Sequence, residues 1–109
     1  MKDIVEFFAK KNIVFKSLKS IAPKELNSRK RVEIYLGVDL QGYFVMVMKL
    51  EKSSRVLRKE VEGLFDLHTR LEKLCDSSIH KRYIIINAPL CSKAKEMLIG
   101  NGWRVWSGV

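Results

Sequence analysis

Between Val32 and Leu50 the chain carries two apolar runs, Val32 to Asp39 and Tyr43 to Leu50, joined by Leu40, Gln41 and Gly42. Runs of this length rich in valine, isoleucine, tyrosine and phenylalanine read as strands. A three-residue link ending in glycine suits a type I turn closed by a left-handed residue and a bulge, because glycine has no side chain to clash there. With Asp39 opposite Tyr43, Glu33, Tyr35, Val47, Lys49 and Glu51 share one face, and Ile34, Leu36, Phe44, Met46 and Met48 share the other. A two-residue link would slip the register and separate Lys49 from Glu33.

On either side of this hairpin the pattern changes period. Ile4, Phe7 and Phe8 recur at helical spacing between Lys2 and Lys11, and the β-branched piece Ile13, Val14, Phe15 predicts a short strand. Ser20 to Arg31, with Pro23, Asn27 and Ser28, reads as loop or single-turn residues ending in a basic cluster. After the hairpin, Ser53 or Ser54 is expected to cap a long helix whose stripe is Leu57, Val61, Leu64, Phe65, His68, Leu71 and Cys75. On its other faces Asp66 and Arg70 are spaced to pair. Arg82 to Asn87 reads as a buried strand and Ala88 to Leu90 as a turn. Ser92 is expected to cap a second helix carrying Ala94, Met97 and Leu98. Gly100, Asn101 and Gly102 stop it before a last strand, Trp103 to Trp106. The fold class is therefore α/β: one domain over residues 1–109, with a mixed sheet built on a β-hairpin followed by α-β-α-β and helices on both faces.

The composition, 47% hydrophobic and 30% charged over 109 residues, is that of a single folded domain. Lysine and arginine number 21 against 12 acids, a formal charge of +9, so a polyanion is the partner class to expect, nucleic acid ahead of a lipid surface. The side chains singled out for DNA or RNA contact are Arg29, Lys30 and Arg31 before the hairpin and Arg55, Arg58 and Lys59 at the start of the long helix. Ser92 and Lys93 join them at the next helix start, where amides and the helix dipole favour phosphate. No recognition-helix motif is present, so sequence specificity is not expected. Cys75 and Cys91 have no metal-ligand spacing, which argues against structural zinc and fits a reducing compartment. The amino terminus lacks the unbroken apolar run of a signal peptide or membrane span, so the chain is expected to be cytoplasmic and intact, with no membrane partner.

The order of elements, with Glu33 to Lys49 as an active hairpin and KRYIIINAPLCSKAKEMLIGNGWRVWSG as the closing strand-helix-strand, resembles the PD-(D/E)XK nucleases, the restriction-endonuclease-like superfamily. The arrangement is most similar to that of its Mrr and Holliday-junction-resolvase types. The resemblance implies an acid on the first hairpin strand and Glu-x-Lys on the second, holding one or two magnesium ions, with the lysine positioning the attacking water. Strand residues i and i+2 point the same way, so both can reach one phosphate. Lys49 falls where the resemblance places that lysine. The acid two residues before it is replaced by Val47, however, and the hairpin aspartate by Tyr35. Both departures remove metal ligands.

The leading expectation is thus a nuclease-like nucleic-acid-binding domain with lost or weakened catalysis and no cofactor. The second is a magnesium-dependent nuclease with a displaced site at Glu33, Lys49 and Glu51, where Glu33 and Glu51 are otherwise salt-bridge partners. The third is an interaction or dimerisation module, a homodimer through a sheet edge. A ribonuclease-H-like fold is the structural rival, because Leu36, Gly37, Val38, Asp39 resembles its first strand, although Asn87 stands where that family carries an acid. Cys91 is read as inert, since neither His68 nor His80 is tied to it as a base. His68 is read as facing the core, the methionines as core filler, and Trp103 and Trp106 as packing on the last helix rather than stacking on bases.

Overall fold

The hairpin closes in the expected register. In the computed structural model, which describes residues 2–107 and their side chains from Ile4 onward, strand β2 (Glu33–Asp39) runs antiparallel to β3 (Phe44–Glu51), with Glu33 opposite Lys49 and Val38 opposite Phe44. Gly42 closes the turn with a φ of 90°, and the Asp39 carboxylate accepts the backbone N–H groups of Gln41 and Tyr43, both at 2.9 Å. The turn's backbone bonds are supplied within residues 39–43, which is why it could be read locally.

From this centre the sheet extends in the order β1-β2-β3-β4-β5. Strand β4 (Lys81–Asn87) lies parallel to β3, and β5 (Arg104–Ser107) parallel to β4. Both parallel steps cross over through a helix, α2 (Arg58–Cys75) and α3 (Ser92–Gly100). Alternation along the strands divides the interior in two. Ile34, Leu36, Met46, Met48, Ile84 and Ile86 pack on Val61, Leu64, Leu67 and Leu71 of α2 and on Ala94 and Leu98 of α3. On the other face Tyr35, Val45, Val47, Tyr83 and Ile85 bury Ile4 and Phe8 of helix α1 (Lys2–Ala9). The α/β class with helices on both faces is as expected.

Several boundaries differ from the sequence reading. Strand β1 is Phe15–Ile21, antiparallel to β2, rather than Ile13 to Phe15. Its apolar residues stand three apart, and a register shift between Phe15 and Ser17 puts Phe15 and Leu18 on the α1 side while Ile21 reaches the other core. A bulged edge strand shows no alternation to read. The segment after it takes the single-turn form that the sequence allowed. Pro23–Leu26 forms a 3-10 turn with Leu26 buried, and Arg70 of α2 donates to the carbonyls of Leu26 and Asn27 at 2.9 and 2.8 Å.

Helix α2 begins three or four residues later than a Ser54 or Ser53 cap would place it, with extended Leu57 at its N-cap. Val56, fully buried, instead forms a bridge with Leu90, its N–H donating to Pro89 and its carbonyl accepting from Cys91. Burying that valine keeps the chain extended past both serines. Leu67 joins the buried stripe in place of Leu57, which is 54% exposed. Cys91, not Ser92, occupies the N-cap of α3. Among the described residues no helix is long and apolar enough to cross a membrane.

Candidate functional site

Antiparallel pairing places Glu33 directly across from Lys49 and Tyr35 across from Val47, all on the α1 side of the sheet. The two positions from which the resemblance removes acids are sealed: Tyr35 is 4% exposed and Val47 fully buried, both within the aromatic cluster around Phe8. The Tyr35 hydroxyl donates to Glu33 Oε1 at 2.8 Å, and Lys49 Nζ stands 3.1 Å from Glu51 Oε1. Glu33, Lys49 and Glu51 are therefore together at one end of the hairpin, each carboxylate already engaged.

Magnesium asks for several oxygen ligands in near-octahedral geometry. Val47 offers none, the Tyr35 phenol is committed to Glu33, and an ammonium sits on Glu51. Among the described residues no three His, Cys, Asp or Glu side chains converge as metal ligands. The residues present do not fit the metal centre that the resemblance implies, and no hydrolytic step is derived through it.

The ribonuclease-H-like alternative is overturned by position. Asp39 sits at the turn end of the hairpin, its second oxygen bonded to Lys81 at the start of β4, whereas Asn87 lies at the far end of that strand beside Glu51. Six residues of strand separate the two ends by about 20 Å, so no single ion could join them. The Lys81 ammonium first, then the Tyr43 amide, hold the Asp39 carboxyl below its ordinary range, and the same bond holds Lys81 above its own. This pair serves the turn.

The basic residues are distributed differently. Arg29, Lys30, Arg31, Arg55, Arg58, Lys59, Ser92 and Lys93 are all exposed. None of the seven cations among them stands within ion-pair distance of a carboxylate of the described residues, while Lys49, Lys52, Arg70 and Lys81 do. Lys30 and Arg31 line a cleft of about 450 Å³ with Glu51, Lys52 and Glu60, in which Lys52 and Glu60 pair with each other. Arg58, Lys59 and Lys93 line another, of about 770 Å³, with Leu57, Glu62, Cys91 and Met97. Arg29 and Ser92 line neither cleft.

Gly63 links the two sequence clusters. A β-carbon there would collide with Cε of Lys30, so the lysine stem lies across the bare helix backbone one turn beyond Lys59. A lone glycine inside a helical pattern was the available sign of such a close approach. The Cys91 thiol is held below the ordinary cysteine range by the amides of Ala94 and Lys93, and then by the positive charges of Arg55 and Arg58.

The remaining expectations resolve into packing. His68 Nε2 lies 2.8 Å from the Ile79 carbonyl on the core side of α2. Trp103 packs on Phe65 and His68 of α2, and Trp106 on Phe7 and Phe8 of α1. Trp103 also shares its core cluster with Ala94 and Leu98 of α3, and its backbone N–H donates to the Leu98 carbonyl, so it packs on the last helix as expected, whereas Trp106 lies on the α1 face of the sheet.

The sheet thus combines three antiparallel strands with a parallel return and carries a polar cluster at the end of its central hairpin. The chain is similar in structure to EndoMS in its apo form, with 18% identity and a TM-score of 0.57 over 97% of this chain and 44% of that one. It is also similar to a repair endonuclease from Pyrococcus abyssi, with 16% identity and a TM-score of 0.51 over 84% of this chain and 38% of that one. The chain thus spans less than half the length of either protein, and at these identities the likeness is one of fold. No protein-family model and no curated protein matches the sequence.

Proposed function

We propose that this chain is a nuclease-like domain that binds DNA or RNA through the basic surface around the start of α2 and does not cleave it efficiently. The observation that supports the reading most is the grouping of cations. Lys30, Arg31, Arg58, Lys59 and Lys93, exposed and, like other surface lysines such as Lys16 and Lys95, without an ion pair among the described residues, line two clefts beside the start of α2, while the cations at the hairpin end and turn are matched with carboxylates. Unmatched charge costs self-repulsion in the folded state and is offset when a polyanion releases its counterions. The hairpin supports the absence of hydrolysis, since Tyr35 and Val47 bury the two ligand positions. Lys49 then serves as an ion-pair partner or phosphate contact.

Titration of labelled single- and double-stranded DNA and RNA at low and moderate salt, with magnesium present, tests this by reading mobility shift and cleavage together. Expected is binding that weakens with salt by a slope of about 0.9 per neutralised phosphate on duplex DNA, without product. Cleavage abolished by Lys49→Ala would instead establish a magnesium-dependent nuclease using Glu33, Lys49 and Glu51. Absence of binding to all four would overturn the reading in favour of an interaction module pairing through the free edge of β1 or β5.

A further inference from the structure

The two basic clefts are not equivalent. In the one lined by Lys30, Arg31 and Lys52, two carboxylates balance the cations and Lys52 is already paired with Glu60. In the other, Arg58, Lys59 and Lys93 face a single acid, Glu62, with which none of them forms an ion pair. Two elements far apart in sequence build this cleft: Arg58, Lys59 and Glu62 come from α2, and Lys93 and Met97 from α3. The Val56–Leu90 bridge ties the starts of the two helices together, so the cations are held at one concavity rather than spread along a face.

An internal phosphodiester carries one negative charge and has another nucleotide on each side. A phosphomonoester carries about −1.5 to −2 at neutral pH and has three free acceptor oxygens. Three cations that line one concavity of about 770 Å³, none in an ion pair among the described residues, match the second better than the first. Leu57, 54% exposed, and Met97 add apolar wall against which the sugar or base of a terminal nucleotide can rest.

We propose that the cleft between the starts of α2 and α3 binds a phosphomonoester, and that on a nucleic acid it recognises a phosphorylated strand end. This rests on the proposed function for its polymeric ligand, but not for its chemistry. The phosphate of a strand terminus and free inorganic phosphate share that chemistry, and the experiment separates them.

The test is competition binding of the full chain with otherwise identical oligonucleotides bearing a 5′-phosphate, a 3′-phosphate or hydroxyl ends, together with inorganic phosphate as a competitor. Wild type should hold one phosphorylated end about tenfold tighter than the hydroxyl-ended strand, the scale of one added charge-assisted contact. The advantage should vanish in Lys93→Ala and Arg58→Ala, both at exposed positions, and grow in Glu62→Gln. Arg29→Ala should weaken all strands equally and leave the ratio intact. Equal binding of phosphorylated and hydroxyl ends would overturn the end-recognition proposal while leaving nucleic-acid binding standing. Binding of inorganic phosphate that is lost in Lys93→Ala, with no oligonucleotide bound, would confirm the phosphate site and refute the proposed function. No response to any of these ligands would overturn both.

Discussion

Acids placed at two facing hairpin positions test whether this end of the sheet can be made to hold a metal ion. Val47→Glu places a carboxyl at a position with no exposure, enclosed by Ile4, Phe8, Tyr35, Val45, Tyr83 and Ile85. In such surroundings a glutamate is raised by up to about 3 to 5 pK units, so at neutral pH it folds protonated. Protonating a carboxyl of ordinary pKa near 4.3 at pH 7 costs about 4 kcal/mol at 1.36 kcal/mol per unit, and the added bulk costs roughly 1 to 3 more. That is a large part of the usual 5 to 15 kcal/mol of a small domain.

The sign with pH follows from the raised pKa. The folded state holds a proton that the unfolded state releases above its ordinary pKa, so the variant loses stability as pH rises from about 4 towards 7. Adding Tyr35→Asp, directly across the ladder, sets a second carboxylate within about 5 Å between backbones and leaves both wanting a divalent cation. Magnesium at 100 times its Kd would then return about 2.7 kcal/mol. Urea unfolding of wild type, Val47→Glu and the double variant, with and without millimolar magnesium, reads this directly. Expected is a single variant that magnesium does not rescue and a double variant that it does. A Val47→Glu cost below about 1 kcal/mol would refute the burial argument. A folded double variant indifferent to magnesium would refute the assignment of these positions to metal ligation.

Two further outcomes follow from the packing. Asp39 has its pKa held down by Lys81 and the turn amides, so its contribution is present above the ordinary carboxylate pKa and disappears as pH falls through the lowered folded value. Asp39→Ala should therefore be less stable than wild type at neutral pH, with the gap in urea midpoints closing in strong acid. A gap that stays constant would place the effect in the turn backbone instead. Phe8, fully buried with rings of Phe7, Phe15, Tyr83 and Trp106 around it, is the main attachment of α1. Phe8→Ala should cost about 3 to 5 kcal/mol and diminish the near-ultraviolet circular dichroism of that aromatic cluster, and an unchanged spectrum would contradict the packing.

Features that depend on neighbours along the chain are legible in the amino-acid sequence alone. The turn at Leu40 to Gly42 sets which residues of β2 and β3 face each other, and with it the face shared by Glu33, Tyr35, Val47, Lys49 and Glu51. That positions 35 and 47 carry tyrosine and valine rather than acids is equally local. Strand β1 is not legible, because its bulge removes the alternation that marks a strand and its hydrogen bonds come from β2. The start of α2 is misplaced by sequence reasoning because two good capping serines are overruled by the burial of Val56 against Leu90, thirty-four positions away.

The candidate cleft shows the same division. Each cation is visible in the sequence, but their grouping is decided by tertiary contacts: Lys93 beside Arg58 and Lys59 through the packing of α2 and α3, and Lys30 on α2 through the bare backbone of Gly63. Local dihedral preferences and side-chain periodicity act over a few residues, whereas the juxtaposition of charges is set by whichever burial of apolar surface the whole chain finds most favourable.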